Sequence, residues 1–265
     1  MKRLQGQTAI VTGSSSGLGQ GIAIEMGKEG ANVCINYHSD EEGANITLKA
    51  IEETGGQGFT IQADVSDPDD VEKMFQETID TYGTVDILMN NAGIQKDAPF
   101  LEMTHEDWQR VINVNLSGQF YCAQAAAKEF VRRGMTDHSK ALGKIICMSS
   151  VHDIIPWAGH INYATAKGGL LMFIKTLAQE LGQQKIRVNG ISPGAIKTDI
   201  NEEVWGNPAK LEELLTLIPY QRIGETEDVG KLAVWLASDE SDYVHGQTIY
   251  IDGGMTLYPG FIGNG

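Results

Sequence analysis

Seven short apolar runs punctuate the chain, at 8–13, 32–37, 59–65, 85–91, 144–150, 186–194 and 247–254. Within each run the apolar residues are continuous rather than alternating, the pattern of strands buried on both faces of a parallel sheet. The segments between them, 17–29, 40–54, 69–82, 105–133, 162–182 and 226–237, carry apolar residues at three- and four-residue steps, which predicts helices. Strands and helices in alternation predict right-handed crossovers and an α/β fold built on one doubly wound, mostly parallel, seven-stranded sheet. No linker or low-complexity tract breaks the alternation, so residues 1–265 read as a single domain. The least regular stretch, about 197–222, lies between the sixth strand and the last helix and reads as a lid or binding-loop insertion.

Composition narrows the class. Hydrophobic residues make up 42% of the chain, enough for a large core and against global disorder. Thirty-one glycines signal many tight turns or close backbone approaches. A formal charge of −15 disfavours nucleic acid and anionic membrane as partners, because both demand basic stripes. No apolar run approaches the roughly 18 residues of a membrane span, and the opening MKRLQGQTAIV lacks a secretory apolar core. Cys34, Cys122 and Cys147 are isolated and odd in number, which suits reduced core thiols and a cytoplasmic setting. The six histidines lack ligand spacing, so no metal site is expected, and there is no Gly-x-Ser-x-Gly elbow.

The first strand runs into Thr12-Gly13-Ser14-Ser15-Ser16-Gly17-Leu18-Gly19 and then a helix. Strand, glycine-rich turn and helix N-terminus together form a phosphate cradle, in which free amides and the helix dipole face the pyrophosphate of a dinucleotide. The second strand ends in Asn36-Tyr37-His38-Ser39, with neither a carboxylate for a ribose 2′-hydroxyl nor an arginine for a 2′-phosphate. Asp40, Glu41 and Glu42 read as the opening of the next helix. His38 and Ser39 could bond a 2′-phosphate, so the expectation is NAD or NADP, dual or leaning to NADP. Asp64 ends the third strand, either as acceptor for an adenine amino group or as a turn residue. Asp67, followed by Pro68, reads as a helix cap. Asn90-Asn91-Ala92-Gly93 ends the fourth strand, at the edge where ligands sit in open sheets.

Tyr163 and Lys167 lie one helical turn apart. An ammonium beside a phenol favours phenolate, making Tyr163 a candidate base for a hydroxyl proton. With 8 Tyr and 14 Lys, about 0.4 such pairs arise by chance, so the pair alone means little. Its surroundings give it weight: Ser149-Ser150 closes the fifth strand, Asn115 sits where a helix disfavours asparagine, and Pro193-Gly194 with Thr198 follows the sixth. All fall at one edge of the sheet.

These motifs, in this order and spacing, resemble the short-chain dehydrogenase/reductase family over 8–254. The resemblance implies a Rossmann-type fold, a homotetramer, and a catalytic tetrad of Asn115, Ser150, Tyr163 and Lys167. Tyr163 would act as acid/base and Ser150 would hold the substrate oxygen. Lys167 would bind the nicotinamide ribose and lower the tyrosine pKa, and Asn115 would keep a relay water. Cofactor contacts are implied at Thr12, Gly13, Ser15, Ser16, Gly17, Leu18, Gly19, Tyr37, His38, Asp64, Val65, Asn91, Ala92, Gly93, Tyr163, Lys167, Pro193, Gly194, Ile196 and Thr198. Ser16 stands where NADP-using members tend to carry a basic residue. Apolar residues at Phe120, Tyr121, Leu170, Leu171, Phe173 and Ile174 exceed what one sheet face needs; they imply either a subunit interface or a thick core.

Within the family, Ser149–Trp157, Pro193–Asn201 and Asp252–Pro259 resemble bacterial glucose 1-dehydrogenases. That likeness implies hydride removal from C1 of D-glucose or a similar aldose, giving the lactone, with Ser150, His152, Tyr163 and Asn201 at the sugar. Alternatives stand beside it: His152 bonding a loop backbone, Asn201 capping a helix, and Trp157 packing as core rather than as a sugar platform. Gln95 and His38 depart from the Glu and Arg frequent in those enzymes. A reductase of 3-oxoacyl thioesters shares the tetrad, although an acidic acyl carrier would call for a basic mouth. A non-catalytic cofactor-binding regulator is a remoter alternative.

Overall fold

The computed structural model describes residues 2–198 and 201–257. Seven parallel strands, β1 (Thr8–Val11), β2 (Asn32–Tyr37), β3 (Gln57–Gln62), β4 (Ile87–Asn90), β5 (Gly143–Met148), β6 (Ile186–Pro193) and β7 (Thr248–Ile251), form one sheet in the order β3-β2-β1-β4-β5-β6-β7. Chain order reverses direction between β1 and β4, which opens a crevice at the carboxyl ends of those strands. β1, β4, β5 and β6 are buried along their whole length, with Lys144, Arg187, Asn189 and Ser192 buried among the apolar residues of β5 and β6.

Helices cover both faces. On one, α1 (Gly17–Lys28), α2 (Glu41–Glu53) and α9 (Thr226–Ala237) bury Ile22, Met26, Ile51, Val229 and Val234, with α1 on β1 and β2, α2 on β2 and β3, and α9 on α1, β5 and β6. On the other, α3 (Pro68–Tyr82), α5 (Gly118–Arg133) and α6 (Ile161–Leu181) bury Met74, Phe75, Phe130 and Ile174. Each fully buried side chain of this size stabilises by about 1.5–3 kcal/mol. Cys34, Cys122 and Cys147 all lie in this second core as free thiols. No described helix is long and apolar enough to cross a membrane.

Caps set the helix starts. Asp40 accepts from the Gly43 amide at the head of α2, and Asp67 accepts from the Asp69 amide ahead of Pro68 at the head of α3. Thr104 caps α4 (His105–Ile112) by accepting from Asp107 N. Three details depart from the sequence pattern. β3 ends at Gln62, because Asp64 already turns the chain by bonding Ser66. The segment 105–133 is interrupted by a wide π turn at Asn113–Ser117 between α4 and α5. Leu170 and Ile174 are wholly buried core residues, while the exposed apolar positions on α5 and α6 include Phe120 and Met172.

The 197–222 stretch carries two short helices, α7 (Glu202–Trp205) and α8 (Pro208–Leu215). Asn207 caps α8 ahead of Pro208, and buried Ile218 anchors the return to the sheet.

Candidate active site

The crevice between β1 and β4 is locked by reciprocal bonds. Thr12 Oγ1 accepts from Asn91 N (2.9 Å) and Ala92 N (3.0 Å), while Asn91 Nδ2 donates to Thr12 O (2.9 Å) and Gly13 O (3.0 Å). The glycine turn packs too tightly for side chains at two of its glycines. Gly13 has φ +60°, and a Cβ there would lie 2.9 Å from Ala92 Cα; a Cβ on Gly19 would overlap Gly13 O and Asn91 Nδ2. Ser16 is extended and makes no side-chain cap, and no acidic residue enters the first turn of α1, unlike α2, α3 and α4. The head of α1 thus offers uncapped amides and an uncompensated dipole, which fits a pyrophosphate. Thr198, at the start of the insertion, faces this turn, 3.6 Å from where a Gly17 Cβ would be.

At the outer end, His38 is exposed and its Nε2 lies 3.6 Å from Asp64 Oδ2; Asp64 Oδ1 accepts from Ser66 N and Oγ. Asp64 therefore keeps one oxygen free of backbone bonds, and Tyr37, against the core, contributes no charge. Val65 is buried beneath Gly118. At the inner end, Gly194 N donates to Ile251 O, and Ile196 bridges to Gly224.

Tyr163 and Lys167 share one face of α6 below the loops that follow β4 and β5. Lys167 is buried, and its Nζ donates to Met148 O (2.7 Å) and lies 5.6 Å from the Tyr163 ring centroid. Burial lowers this ammonium to a pKa of about 8, although Cys147 and Asp153 pull it back up. Burial raises the Tyr163 phenol, aided by Asp153 and Asp97; hydrogen bonds with Ser150 and Gln95 oppose the rise. The lowering expected from Lys167 is not seen; the groups that lower the phenol are Ser150 and Gln95, and burial outweighs them. Ser150 Oγ accepts from His152 N at the head of a short 3₁₀ turn.

Asn115 is completely buried in the π turn. Its Oδ1 accepts from Ile94 N (2.8 Å) and its Nδ2 donates to Ile94 O (2.9 Å). The widened helix gives this side chain its reach, and both of its amide atoms are engaged by Ile94. Gly93 lies between the tetrad's corners: a Cβ there would sit 3.4 Å from Asn115 Oδ1 and 3.7 Å from Lys167 Nζ.

Of the residues expected at a sugar, His152 is half-buried and its pKa is lowered by burial. Its Nδ1 faces Ile155 O at 3.1 Å, which requires Nδ1–H and leaves Nε2 as a bare acceptor. Trp157 does not pack as core; it is 39% exposed, stacked between His152 (centroids 4.1 Å) and His160 (3.5 Å), with its edge towards Tyr163. Asn201 neither caps α7 with its side chain nor points outward. Its Oδ1 accepts from Thr198 N and Oγ1, and its Nδ2 donates to Ile196 O. Asp199, Ile200, Tyr258 and Pro259 of the quoted motifs lie outside the described residues.

Two residues near the site escaped sequence reasoning. Asn162 is buried and ties the start of α6 to the loop after β4 by donating to Lys96 O (2.8 Å). Asp153 collects hydroxyl bonds from three strand ends. An asparagine beside a tyrosine and an aspartate in a turn carry no sequence signal of their own.

A family model described as Enoyl-(Acyl carrier protein) reductase matches residues 13–256. The chain belongs to the short-chain dehydrogenase/reductase family, and it is an NAD(P)-dependent oxidoreductase. It is 48% identical to 3beta-hydroxysteroid dehydrogenase 1 of Eggerthella lenta over 258 residues, 97% of each chain. It is 42% identical to Glucose 1-dehydrogenase 2 of Bacillus subtilis over 259 residues, 97% of this chain and 98% of the other. Among solved structures it is similar to a gluconate 5-dehydrogenase from Burkholderia cenocepacia in complex with NADP and tartrate, with a TM-score of 0.87, 33% identity and 97% of each chain covered.

Proposed function

We propose that the protein oxidises an aldose such as D-glucose at C1, giving the lactone, with Tyr163 as the proton acceptor. When bound, the nicotinamide supplies the acceptor for the hydride that leaves C1. Tyr163 takes the hydroxyl proton from the same carbon's oxygen, and Ser150 holds that oxygen by a hydrogen bond. Lys167, pinned by Met148 O, faces the nicotinamide ribose and keeps positive charge beside the phenol as it ionises. Asn115 fixes the Ile94 loop and so the wall next to Gly93. The observation that carries the sugar reading is His152: with Nδ1–H spent on Ile155 O, its Nε2 is left to accept from a sugar hydroxyl. Local likeness to the 42% identical glucose 1-dehydrogenase supports it.

A second reading, oxidation of an apolar ring alcohol of the steroid class, draws support from Asn201 being spent on its own loop and from the exposed Trp157 and Ile154. The 48% identical hydroxysteroid dehydrogenase points the same way. Absence of a carboxylate at the end of β2, with His38 nearby, favours use of both cofactors with a lean to NADP. Self-association through α5 and α6 belongs to the same proposal and is supported by exposed Phe120 and Met172.

The test is absorbance at 340 nm with NAD or NADP and a panel of aldoses, a 3β-hydroxysteroid and acetoacetyl thioester, with Tyr163→Phe as the blank. Glucose-dependent reduction that vanishes in the variant is expected. Turnover of the steroid without the sugar overturns the aldose reading in favour of the second. Thioester reduction alone overturns both.

A further inference from the structure

Asp153 follows the Ser150 turn and takes hydroxyl hydrogen bonds from three neighbouring strands. Ser149, just past β5, donates to Oδ2 at 2.8 Å, Ser192 in β6 to Oδ2 at 2.5 Å, and Tyr250 in β7 to Oδ1 at 2.7 Å. Ser149 Oγ also lies 3.4 Å from the backbone oxygen of Lys167, so the knot reaches α6. Three donors on one carboxylate fix its position among the strands. We infer that Asp153 is a positioning residue: a fixed negative charge beneath the site that ties Ser150 and Lys167 to the sheet and sets the ionisation of the Tyr163–Lys167 pair.

The charged and titratable groups around it come from every side. Lys167 and Tyr163 face it from α6, Tyr250 from β7 and His152 from its own turn, while Asp252 acts on Tyr250 and Cys147 on Lys167. Burial dominates both: against it Asp153 raises Lys167, and with it Asp153, as a like charge to phenolate, raises Tyr163. The carboxylate thus keeps the ammonium charged at the cost of making the phenolate harder to form. Its removal moves both ionisations to lower pH, and the loss of three tethers loosens Ser150.

This inference rests on Tyr163 as the proton acceptor but not on the identity of the substrate, so the primary readout needs none. Tyrosinate absorbance at 295 nm is followed against pH in the wild type and in Asp153→Asn, each minus its own Tyr163→Phe counterpart. The Tyr163 midpoint is expected to fall by roughly 0.5–1 pH unit in Asp153→Asn. NADP affinity, measured by calorimetry, is expected to stay within about two-fold, since no cofactor contact is altered. A midpoint that coincides with the wild type overturns the electrostatic role, whatever happens to the melting temperature. Where Asp153→Asn does not fold, Tyr250→Phe removes one tether and keeps the charge. Its kcat with the panel alcohol that is turned over is expected to fall about two- to five-fold with an unmoved tyrosinate midpoint. An unchanged kcat overturns the positioning role.

Discussion

Asn115→Ala is the perturbation that most directly tests how the π turn serves the site. The side chain has no exposure and makes two bonds to one residue, at 2.8 and 2.9 Å, so truncation leaves both Ile94 backbone groups without their partner. Each buried unpaired group costs about 1–3 kcal/mol, and the better helix propensity of alanine returns about 0.5 kcal/mol. Because Ile94 is only part-buried, each group is taken at about 1–2 kcal/mol, and the net loss is about 1.5–3.5 kcal/mol. At roughly 2–4 °C per kcal/mol for a chain of this size, the melting temperature drops by about 3–14 °C. Calorimetry at fixed protein concentration, with and without NADP, measures it. Activity should fall at least ten-fold, because the freed Ile94 loop borders Gly93 and Gln95. A drop under about 2 °C would refute the reasoning, since it would mean that Ile94 finds other partners or never needed them. Full activity at an unchanged melting temperature would refute it outright.

Gly19→Ala places a methyl against Gly13 O and Asn91 Nδ2, so NADP affinity by calorimetry is expected to weaken at least ten-fold, while a Gly55→Ala control, in open space, leaves it unchanged. Trp157→Ala removes the ring held between His152 and His160; KM for the substrate should rise about ten-fold with a smaller change in kcat, and the reverse split would place Trp157 in the chemistry. Stability should respond to pH in two directions. Lys144 and Lys167 are depressed to about 8, so above pH 8 the unfolded chain binds more protons than the folded one and stability rises. From about pH 9 the raised thiols Cys34 and Cys147, each near 12, stay protonated only in the folded chain, and stability falls again. Melting temperatures from pH 7 to 11 should therefore pass through a maximum, and a steady decline from pH 7 to 9 would count against the two buried lysines.

Strand positions were readable because four central strands are buried on both faces and so are largely apolar, with Lys144, Arg187, Asn189 and Ser192 as buried exceptions. The edges were less so: β3 loses its last residues to the Asp64–Ser66 turn, which no hydrophobic pattern marks. The oddity of Asn115 inside a helix was visible in the sequence, but the π turn that resolves it was not, because helix pitch follows from the Ile94 contact rather than from local propensity. The Tyr163–Lys167 spacing alone carried little weight, and Ser150 joined it as a candidate only through its place at the same sheet edge and the family resemblance. The surroundings that set their ionisation could not be read from the chain, since Asp153 acquires its role only when β5, β6 and β7 lie side by side. Trp157 reads as core by composition and stands exposed because two imidazoles, rather than the core, cover its faces.

The three thiols of the second core have a practical consequence. Burial holds all of them protonated, and none is exposed, so the folded chain offers an alkylating reagent no nucleophile at neutral pH. They sit on β2, α5 and β5, at separate depths of the crevice's supporting wall. Each can react only when its own patch opens, so the modification rate of each cysteine, followed by mass, becomes a clock for the breathing of that element. Slowing of the Cys147 clock by NADP would then time how far the grip of the cofactor extends into the sheet, without a label having to be introduced.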